Sequence, residues 1–266
     1  MSSSIPKPLI SPGEPAPFEE WWPEVPGFPA LLACDHASSA VPIALSNLGL
    51  TTADLGCHVA VDIGAAALTR KLAEILQLPA VLSRYSRLVV DCNRHLDDLS
   101  AFPEISDGVV IPANRQLTVE ERCARADALY WPYHAAISRS LARLAPLPAL
   151  VAIHSFTPCI NGLARPWQVG VLWDADARIA APLLDALRAD GRLCVGDNEP
   201  YTGRHPAAYT IYAHAEKRGL PHVCIEVRQD LLLTPAGINQ WASLLGKALR
   251  PILASGPSRA TVPPFQ

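Results

Sequence analysis

The chain has 266 residues, of which 50% are hydrophobic and 18% are charged, enough apolar sequence for one large domain with its own core. A formal net charge of -3 lacks the basic excess of nucleic-acid-binding proteins, so we expect no nucleic-acid partner. No apolar stretch reaches the length of a membrane span and the first residues carry no apolar signal segment, so we expect no membrane partner either.

The cysteines indicate the compartment. There are seven, an odd number, scattered without a Cys-x-x-Cys pair and mostly in apolar surroundings such as "LLACD", "VVDCN" and "HVCIE". This usage is typical of reduced, buried thiols and not of a disulfide framework. We therefore expect a cytoplasmic protein.

Proline marks both ends of the chain. Residues 1–29 read as a Pro-rich arm packed on the surface, and residues 255–266 as a disordered Pro-rich tail. Between them we find neither an internal repeat nor a flexible linker. Residues 30–254 are therefore predicted to form one folded domain.

Within this domain, short apolar runs alternate with amphipathic helical patterns. The runs predict strands at "ALLAC", "AVLS", "RLVVD", "ALVAIH", "WQVGVLW", "LCV" and "HVCIEV". Helices are predicted over residues 64–76, over 118–144 with a capping box and a kink at Pro132, from Asp174 to near Gly191, over "YTIYAHAEKRG", and from residue 234 onward. The alternation predicts an α/β fold with a mixed central sheet flanked by helices on both faces.

One predicted strand carries an acid. Glu226 interrupts the apolar run of "HVCIEV", although an ionised carboxylate in a protein interior is costly unless a cation, a metal or hydrogen-bond donors compensate it. A metal together with Arg228, which lies on the same face of the strand, is one such compensation.

Polar residues also cluster where apolar strands end. Asp35 and His36 follow "LLAC", His154 follows "LVAI", and Asp91 opens the sequence "DCNR" after "RLVV". Ligands of open α/β sheets bind beyond the carboxyl ends of the strands. Two imidazoles and a carboxylate suit a zinc ion that keeps a position open for water, with a nearby carboxylate as general base. Hydrogen-bonded core histidines and a salt-bridged turn at 91–94 are the alternative interpretations.

At these residues the sequence resembles the N-formylglutamate amidohydrolase family, over about residues 31–233. The segments that carry the resemblance are "CDHASSAVP", "VDIGAAALTRKLAE", "YSRLVVDCNR", "IHSFTP", "VGVLWD", "DNEPY" and "GLPHVCIEVRQDLL". The resemblance implies a phosphorylase/hydrolase-like fold similar to that of the zinc carboxypeptidases and aspartoacylase. It also implies a catalytic domain that removes a formyl or other small acyl group from an N-acyl amino acid such as N-formyl-L-glutamate, in histidine breakdown, with Zn²⁺ or another divalent metal as cofactor.

The resemblance implies metal ligands at His36 and His154. The related enzymes have a glutamate three residues after the first histidine, and this chain has Ser39 there. The third ligand is therefore open. Asp62, which precedes a predicted helix, is the first candidate and Asp35 the second, and a site with two histidines and an extra water is the remaining option.

The resemblance also implies roles in catalysis and substrate binding. Glu226 matches the general base, and Arg87 would stabilise the oxyanion together with the metal. Further residues are expected to bind substrate: Asn93 and Arg94 in the "DCNR" segment, Arg228, and Tyr201 in the "DNEPY" loop. Arg228 has a second interpretation as the salt-bridge partner of Glu226, and Tyr201 a second one as a buried phenol in a turn.

Several functions stay open on the sequence alone. Another acylated amino acid or a small peptide-like amide is an alternative substrate. A binding protein that lost a metal ligand and holds a carboxylated metabolite is an alternative class, because of Ser39. A thiol or serine hydrolase is a third, although no Gly-x-Ser-x-Gly motif surrounds Ser155. The oligomeric state is left open.

Overall fold

A seven-stranded sheet runs through the middle of the computed structural model, which describes residues 8–144, 146–189, 191–204 and 208–256. Its strands are β1 (Phe18–Trp21), β2 (Ala30–Cys34), β3 (Ala80–Ser83), β4 (Ala149–Phe156), β5 (Val169–Leu172), β6 (Val195–Asp197) and β7 (His222–Arg228). They are ordered β1-β3-β2-β4-β7-β5-β6 across the sheet. Two small hairpins lie outside it, pairing Ile105–Ser106 with Val109–Val110 and Cys159–Ile160 with Leu163–Ala164.

The sheet is mixed, as predicted. Strands β3, β2, β4 and β7 run parallel to one another, whereas β1 is antiparallel to β3 and β5 is antiparallel to β7. The carboxyl ends of β2, β4 and β7 consequently meet at one edge. That edge is where the sequence places its histidines and Glu226.

Helices cover both faces of the sheet, which confirms the predicted architecture. The helices are α1 (Thr52–Leu55), α2 (Ala65–Leu76), α3 (Val119–Arg125), α4 (Trp131–Arg143), α5 (Ala180–Arg188), α6 (Tyr209–His214) and α7 (Pro235–Ala254). Short 3-10 segments occupy Ile43–Gly49, Leu99–Ala101, Pro112–Asn114, Glu216–Arg218 and Gln229–Leu232. Helices α2, α5 and α7 bury their apolar stripes on one face, and α4 and α6 pack on the other.

Local sequence explains where two of these helices begin. Gly64 precedes α2 with φ of +83°, and a Cβ there would lie 2.4 Å from the Cβ of Leu232, so both the backbone conformation and the space require glycine. The Thr118 hydroxyl and the Glu121 carboxylate cap α3 reciprocally, as the capping box predicts. A π-helical turn at Ala126–Tyr130 separates α3 from α4 just ahead of Pro132, where the sequence predicts a kink.

Other details differ from the sequence-based expectations. The "RLVVD" run forms buried turns and no strand, with the Val89 amide donating to the Ser86 carbonyl. Helix α5 begins at Ala180 rather than at Asp174, because the Asp176 carboxylate accepts from the Arg178 amide and closes a local turn. The strand expected at "LCV" is shifted to β6.

The two ends of the chain and the cysteines agree only in part with the sequence-based expectations. The Pro-rich arm contributes β1 to the edge of the sheet, while residues 257–266 of the expected tail lie outside the described residues. All seven cysteines are unpaired thiols, but only Cys34, Cys92 and Cys224 are buried, so the expectation of mostly buried thiols is wrong. None of the helices in the described ranges is both long and apolar enough to cross a membrane.

Candidate active site

Three buried side chains from separate parts of the chain converge at the carboxyl edge of the sheet. His36 follows β2, Asp62 lies just before α2, and His154 lies near the carboxyl end of β4. The Asp62 amide donates to the His36 carbonyl at 3.0 Å, which fixes the loop before α2 against the loop after β2. One ligand atom from each side chain lies within 4.8 Å of the other two, a grouping that can hold a metal ion.

The hydrogen bonds of the two imidazoles direct one nitrogen of each ring at Asp62. Nε2 of His36 lies 2.7 Å from Oδ1 of Asp91, and Nε2 of His154 lies 3.1 Å from Oδ2 of Asp35. Carboxylates on Nε2 hold each ring in the tautomer that leaves Nδ1 as the ligand atom. Both Nδ1 atoms face Oδ2 of Asp62, at 3.3 Å from His36 and 2.8 Å from His154. Ligand atoms about 2 Å from a tetrahedral zinc ion lie about 3.3 Å apart, so this set fits a metal.

The charges of this cluster also fit a divalent cation. Hydrogen bonding to His154 and its charge outweigh burial and hold the pKa of Asp35 at about 2, and His36 together with His154 keeps the pKa of Asp62 below its usual range. With carboxylates on both nitrogens, each imidazole keeps a raised pKa despite its burial. Replacing the two Nδ1 protons by one divalent ion leaves the net charge of the cluster unchanged.

Glu226 lies beside this cluster because of the strand register. It pairs with His154 across the parallel β7 and β4, and its other neighbour across the sheet is Gly170, which has no side chain to cover it. Its carboxylate is buried, and Oε2 has no hydrogen-bond partner within the described residues. Burial, with a contribution from Asp62, raises the pKa of Glu226 to about 7 against the opposing charge of His154. Such a carboxyl group can take up and release a proton near neutral pH.

The cluster and Glu226 line a cavity of about 650 Å³. Arg87, Asn93, Arg94 and Tyr201, all expected at the site, line the same cavity. Arg87 is held by hydrogen bonds from Nε and Nη2 to Oδ2 of Asp91, and its Nη1 lies 3.6 Å from Oδ1 of Asp62.

The other expected substrate residues have defined contacts of their own. Oδ1 of Asn93 accepts from the backbone amide of Thr210, and Arg94 donates to the Asn93 carbonyl and to the Ser100 hydroxyl. The Tyr201 hydroxyl accepts from Arg165 at 3.0 Å, and the Tyr201 ring is partly exposed, so the interpretation as a buried phenol is wrong.

Arg228 does not reach this cavity. Its guanidinium pairs with Asp230 at 2.8 Å and donates to the backbone carbonyls of residues 165–167. Neither expected role, gripping substrate or pairing with Glu226, matches this placement, because Arg228 is the last residue of β7 and its side chain joins the loop beyond the strand.

Sequence reasoning missed the supporting roles of two carboxylates. The sequence makes Asp35 the second candidate ligand and Asp91 part of a salt-bridged turn, yet each accepts a hydrogen bond from the Nε2 of one histidine. The signal was present, since both acids directly follow apolar runs. The Tyr133 and Thr210 hydroxyls that donate to Asp35 carried no such signal.

The ends of the parallel strands bring together two imidazoles, one carboxylate and a second carboxyl group with a pKa of about 7. This combination is typical of a hydrolase site. A profile of the N-formylglutamate amidohydrolase family matches residues 28–233, and the chain belongs to this family. It is therefore an amidohydrolase by family, which confirms the resemblance.

Solved structures agree on the fold. A gene product of Agrobacterium tumefaciens is 34% identical, with a TM-score of 0.86, over 93% of this chain and 98% of that one. An N-formylglutamate amidohydrolase from Ralstonia eutropha JMP134 is 18% identical, with a TM-score of 0.63, over 90% of this chain and 98% of that one, which shows a common fold. A search of the curated proteins gave no match.

Proposed function

We propose that the chain is a metal-dependent amidohydrolase that removes a formyl or other small acyl group from an N-acyl amino acid. N-formyl-L-glutamate is the family's named substrate. The observation that carries the proposal is the convergence of the Nδ1 atoms of His36 and His154 on the Asp62 carboxylate. Beside them lies Oε2 of Glu226, which has no hydrogen-bond partner among the described residues. His36, Asp62 and His154 would hold Zn²⁺ or another divalent ion. When bound, the ion would polarise the scissile carbonyl and acidify water.

Glu226 performs the proton transfers in this proposal. Its carboxylate accepts the proton of the attacking water and then donates it to the amine nitrogen as the C–N bond breaks. A pKa near 7 suits both steps, because the same group must be a base first and an acid afterwards. Since Oε2 is buried and no described residue hydrogen-bonds to it, one carboxylate oxygen is available for these proton transfers.

Arg87 and Asn93 act on the substrate in this proposal. Arg87 is fixed by Asp91, so its guanidinium presents positive charge to the developing oxyanion without having to reorganise. Asn93 lines the same cavity, where it would orient the amide, and Arg94 would bind the α-carboxylate by a bidentate contact that lysine cannot reproduce. Tyr201 would complete the wall that positions the substrate.

Two measurements on one preparation test this function. Metal analysis of the purified protein should give about one divalent ion per chain, and the protein should hydrolyse N-formyl amino acids. A chelator should abolish the hydrolysis, and added Zn²⁺ should restore it. Hydrolysis that is indifferent to a chelator, in a protein with no bound metal, would refute the metal-dependent mechanism and favour a thiol or serine hydrolase.

The alternative of a non-catalytic binding protein rests on Ser39, which stands where the related enzymes have a ligand. The position of Asp62 supports a complete ligand set without that glutamate. Cytoplasmic location and a role in histidine breakdown belong to the proposal only insofar as N-formyl-L-glutamate is the substrate in the cell. Substrate preference therefore tests the role in histidine breakdown.

A further inference from the structure

Asp35, the carboxylate that orients His154, is itself held by two hydroxyls. Its Oδ2 lies 3.1 Å from Nε2 of His154. Its Oδ1 accepts from the Tyr133 hydroxyl at 2.8 Å and from the Thr210 hydroxyl at 2.6 Å. An ionised carboxylate only accepts hydrogen bonds, so both hydroxyls donate to it. Two donors on Oδ1 fix the rotation of the carboxylate and leave Oδ2 facing the imidazole.

The Thr210 hydroxyl reaches outside its own helix to make this contact. Thr210 is fully buried and is the second residue of α6. Threonine hydroxyls inside helices commonly bond a carbonyl one turn earlier, as that of Thr69 does to Ala65 in α2 at 2.8 Å. The acceptor of Thr210 lies 175 positions away in the sequence, and the Cys92 carbonyl is a longer alternative at 3.4 Å. The contact with Asp35 has the short length of a charge-assisted hydrogen bond.

The backbone amide of Thr210 makes a second long-range contact. The first N–H groups of a helix have no acceptor within the helix, and that of Thr210 donates to Oδ1 of Asn93 at 3.0 Å. A backbone N–H only donates, so this contact identifies the oxygen end of the Asn93 amide. Asn93 lines the cavity. Its NH2 group is therefore the end left for a substrate.

The segment that carries Asn93 is also held by the packing of α6 against α4. Nδ1 of His134 in α4 lies 2.8 Å from Nε2 of His214 in α6, and Nε2 of His134 donates to the Cys92 carbonyl at 3.0 Å. Both imidazoles are buried. A change in the packing of α6 would therefore disturb Asn93, whereas loss of the Thr210 hydroxyl alone would not.

We propose that Thr210 is a positioning residue for both parts of the site. Its hydroxyl fixes Asp35, and through it the ring of His154, while its backbone amide fixes Asn93 for the substrate. The inference rests on the proposed amidohydrolase function and adds to it a residue that does not line the cavity. Because the two contacts use different atoms of Thr210, a substitution can remove the first and keep the second.

Thr210→Val makes this separation, since valine keeps the branched shape and the backbone amide but has no hydroxyl. We expect the affinity for Zn²⁺, measured by competition with a chromophoric chelator, to fall about tenfold, because outer partners of metal-binding histidines are typically worth about 10- to 100-fold. At saturating zinc, kcat on the N-formyl amino acid that the wild type hydrolyses best should also fall. KM should stay the same, because Asn93 keeps its donor.

Two matched variants distinguish positioning from packing. Thr210→Ser keeps both contacts and should restore the zinc affinity and kcat of the wild type. Thr69→Val removes the hydroxyl of another fully buried threonine, whose acceptor is a carbonyl of α2, and should leave zinc affinity unchanged. A loss of zinc affinity that Thr210→Ser does not restore, that Thr69→Val reproduces, or that comes with an equal rise in KM overturns the inference in favour of packing.

A second pair of measurements does not depend on the folding of Thr210→Val. Tyr133→Phe removes the other donor to Oδ1 of Asp35 and should likewise lower zinc affinity without changing KM. In Asn93→Ala the Thr210 amide loses its acceptor, so its hydrogen exchange should be about fivefold faster than in the wild type. An unchanged exchange rate overturns the part played by the backbone amide.

The outcomes for zinc also separate this inference from the function on which it rests. A wild type that binds zinc and hydrolyses N-formyl amino acids, with the same zinc affinity in Thr210→Val and Tyr133→Phe, overturns the role of the Thr210 hydroxyl and leaves the amidohydrolase proposal intact. A wild type that binds no zinc overturns both.

Discussion

Replacement of Glu226 by glutamine separates the chemistry of the site from its structure. The amide has nearly the same shape as the carboxyl group and keeps one oxygen beside His154, but it cannot accept and return a proton. We expect Glu226→Gln to bind metal as the wild type does and to hydrolyse its substrate far more slowly. Since His36, Asp62 and His154 are unchanged, the loss should appear in kcat.

The environment of Glu226 sets the expected size of two effects of this substitution, a fall in kcat and a change in the free energy of unfolding. A positioned general acid–base contributes about 10²- to 10⁴-fold to rate, or roughly 3–5 kcal/mol of barrier. The pKa of this carboxyl group is raised from 4.5 to about 7, chiefly by burial. A raised pKa means that folding favours the protonated form, so the stability it confers is present below pH 4.5 and is lost as pH rises through about 7. At pH 8 the ionised carboxylate should destabilise the metal-free fold by on the order of 3 kcal/mol, which glutamine would relieve.

The assay compares kcat, metal content and denaturant unfolding for wild type and variant, with unfolding measured on metal-free protein at pH 4.5 and pH 8. We expect kcat to fall at least a hundredfold, metal content to stay the same, and the variant to be the more stable protein at pH 8 but not at pH 4.5. Glu24→Gln is a matched control, because Glu24 is exposed and does not line the cavity of the site. Near-wild-type kcat in Glu226→Gln would refute the assigned role, and unchanged stability at pH 8 would refute the buried, uncompensated carboxylate.

Three further predictions follow from the same contacts. His154→Ala should lower metal content from about one ion per chain to nearly none by elemental analysis. Asp91→Asn should weaken zinc binding about 10- to 100-fold in a competition titration, because Nε2 of His36 loses its charged acceptor. Burial lowers the pKa of His134 to about 3 and that of its partner His214 to about 4, so both stay neutral when folded and charge on unfolding below about pH 6.5. Stability should therefore fall as pH drops from 7 to 5, with about 2 kcal/mol of that loss absent from His134→Gln.

A specific result would contradict each of these three predictions. His95→Ala removes an exposed histidine and should keep its metal, and an undiminished metal content in His154→Ala would exclude that residue as a ligand. Zinc affinity unchanged in Asp91→Asn would mean that the second carboxylate does not orient His36. Equal loss of stability on acidification in wild type and His134→Gln would mean that the buried pair is not neutral in the folded protein.

The sequence predicted the architecture wherever spacing and burial agree over a full element. Leu68, Leu72 and Leu76 define the face of α2, and short continuous apolar runs predict β4 and β7. The strand predicted at "RLVVD" is wrong because its three apolar residues are as compatible with a buried turn as with a strand. Val89 and its neighbours do face the core, but their backbone bonds close turns instead of joining the sheet.

The site was partly predictable for the same kind of reason. Residues at the carboxyl ends of parallel strands meet, so His36, His154 and Glu226 could be grouped before any coordinates, and Asp62 followed from its place before α2. The sequence could not predict which side chains hydrogen-bond to the carboxylates behind the two histidines. The hydroxyl of Tyr133 donates to Asp35 across 98 positions of sequence, and no local pattern records such a pairing.

The central claim is that the Nδ1 atoms of the two histidines and the Asp62 carboxylate hold a cation that faces Glu226. A crystal structure of zinc-loaded protein with anomalous diffraction at the zinc edge tests this most directly. We expect one strong peak about 2 Å from Nδ1 of His36, Nδ1 of His154 and a carboxylate oxygen of Asp62. A peak at the Nε2 atoms or elsewhere, with both imidazoles still hydrogen-bonded to Asp62, would contradict it.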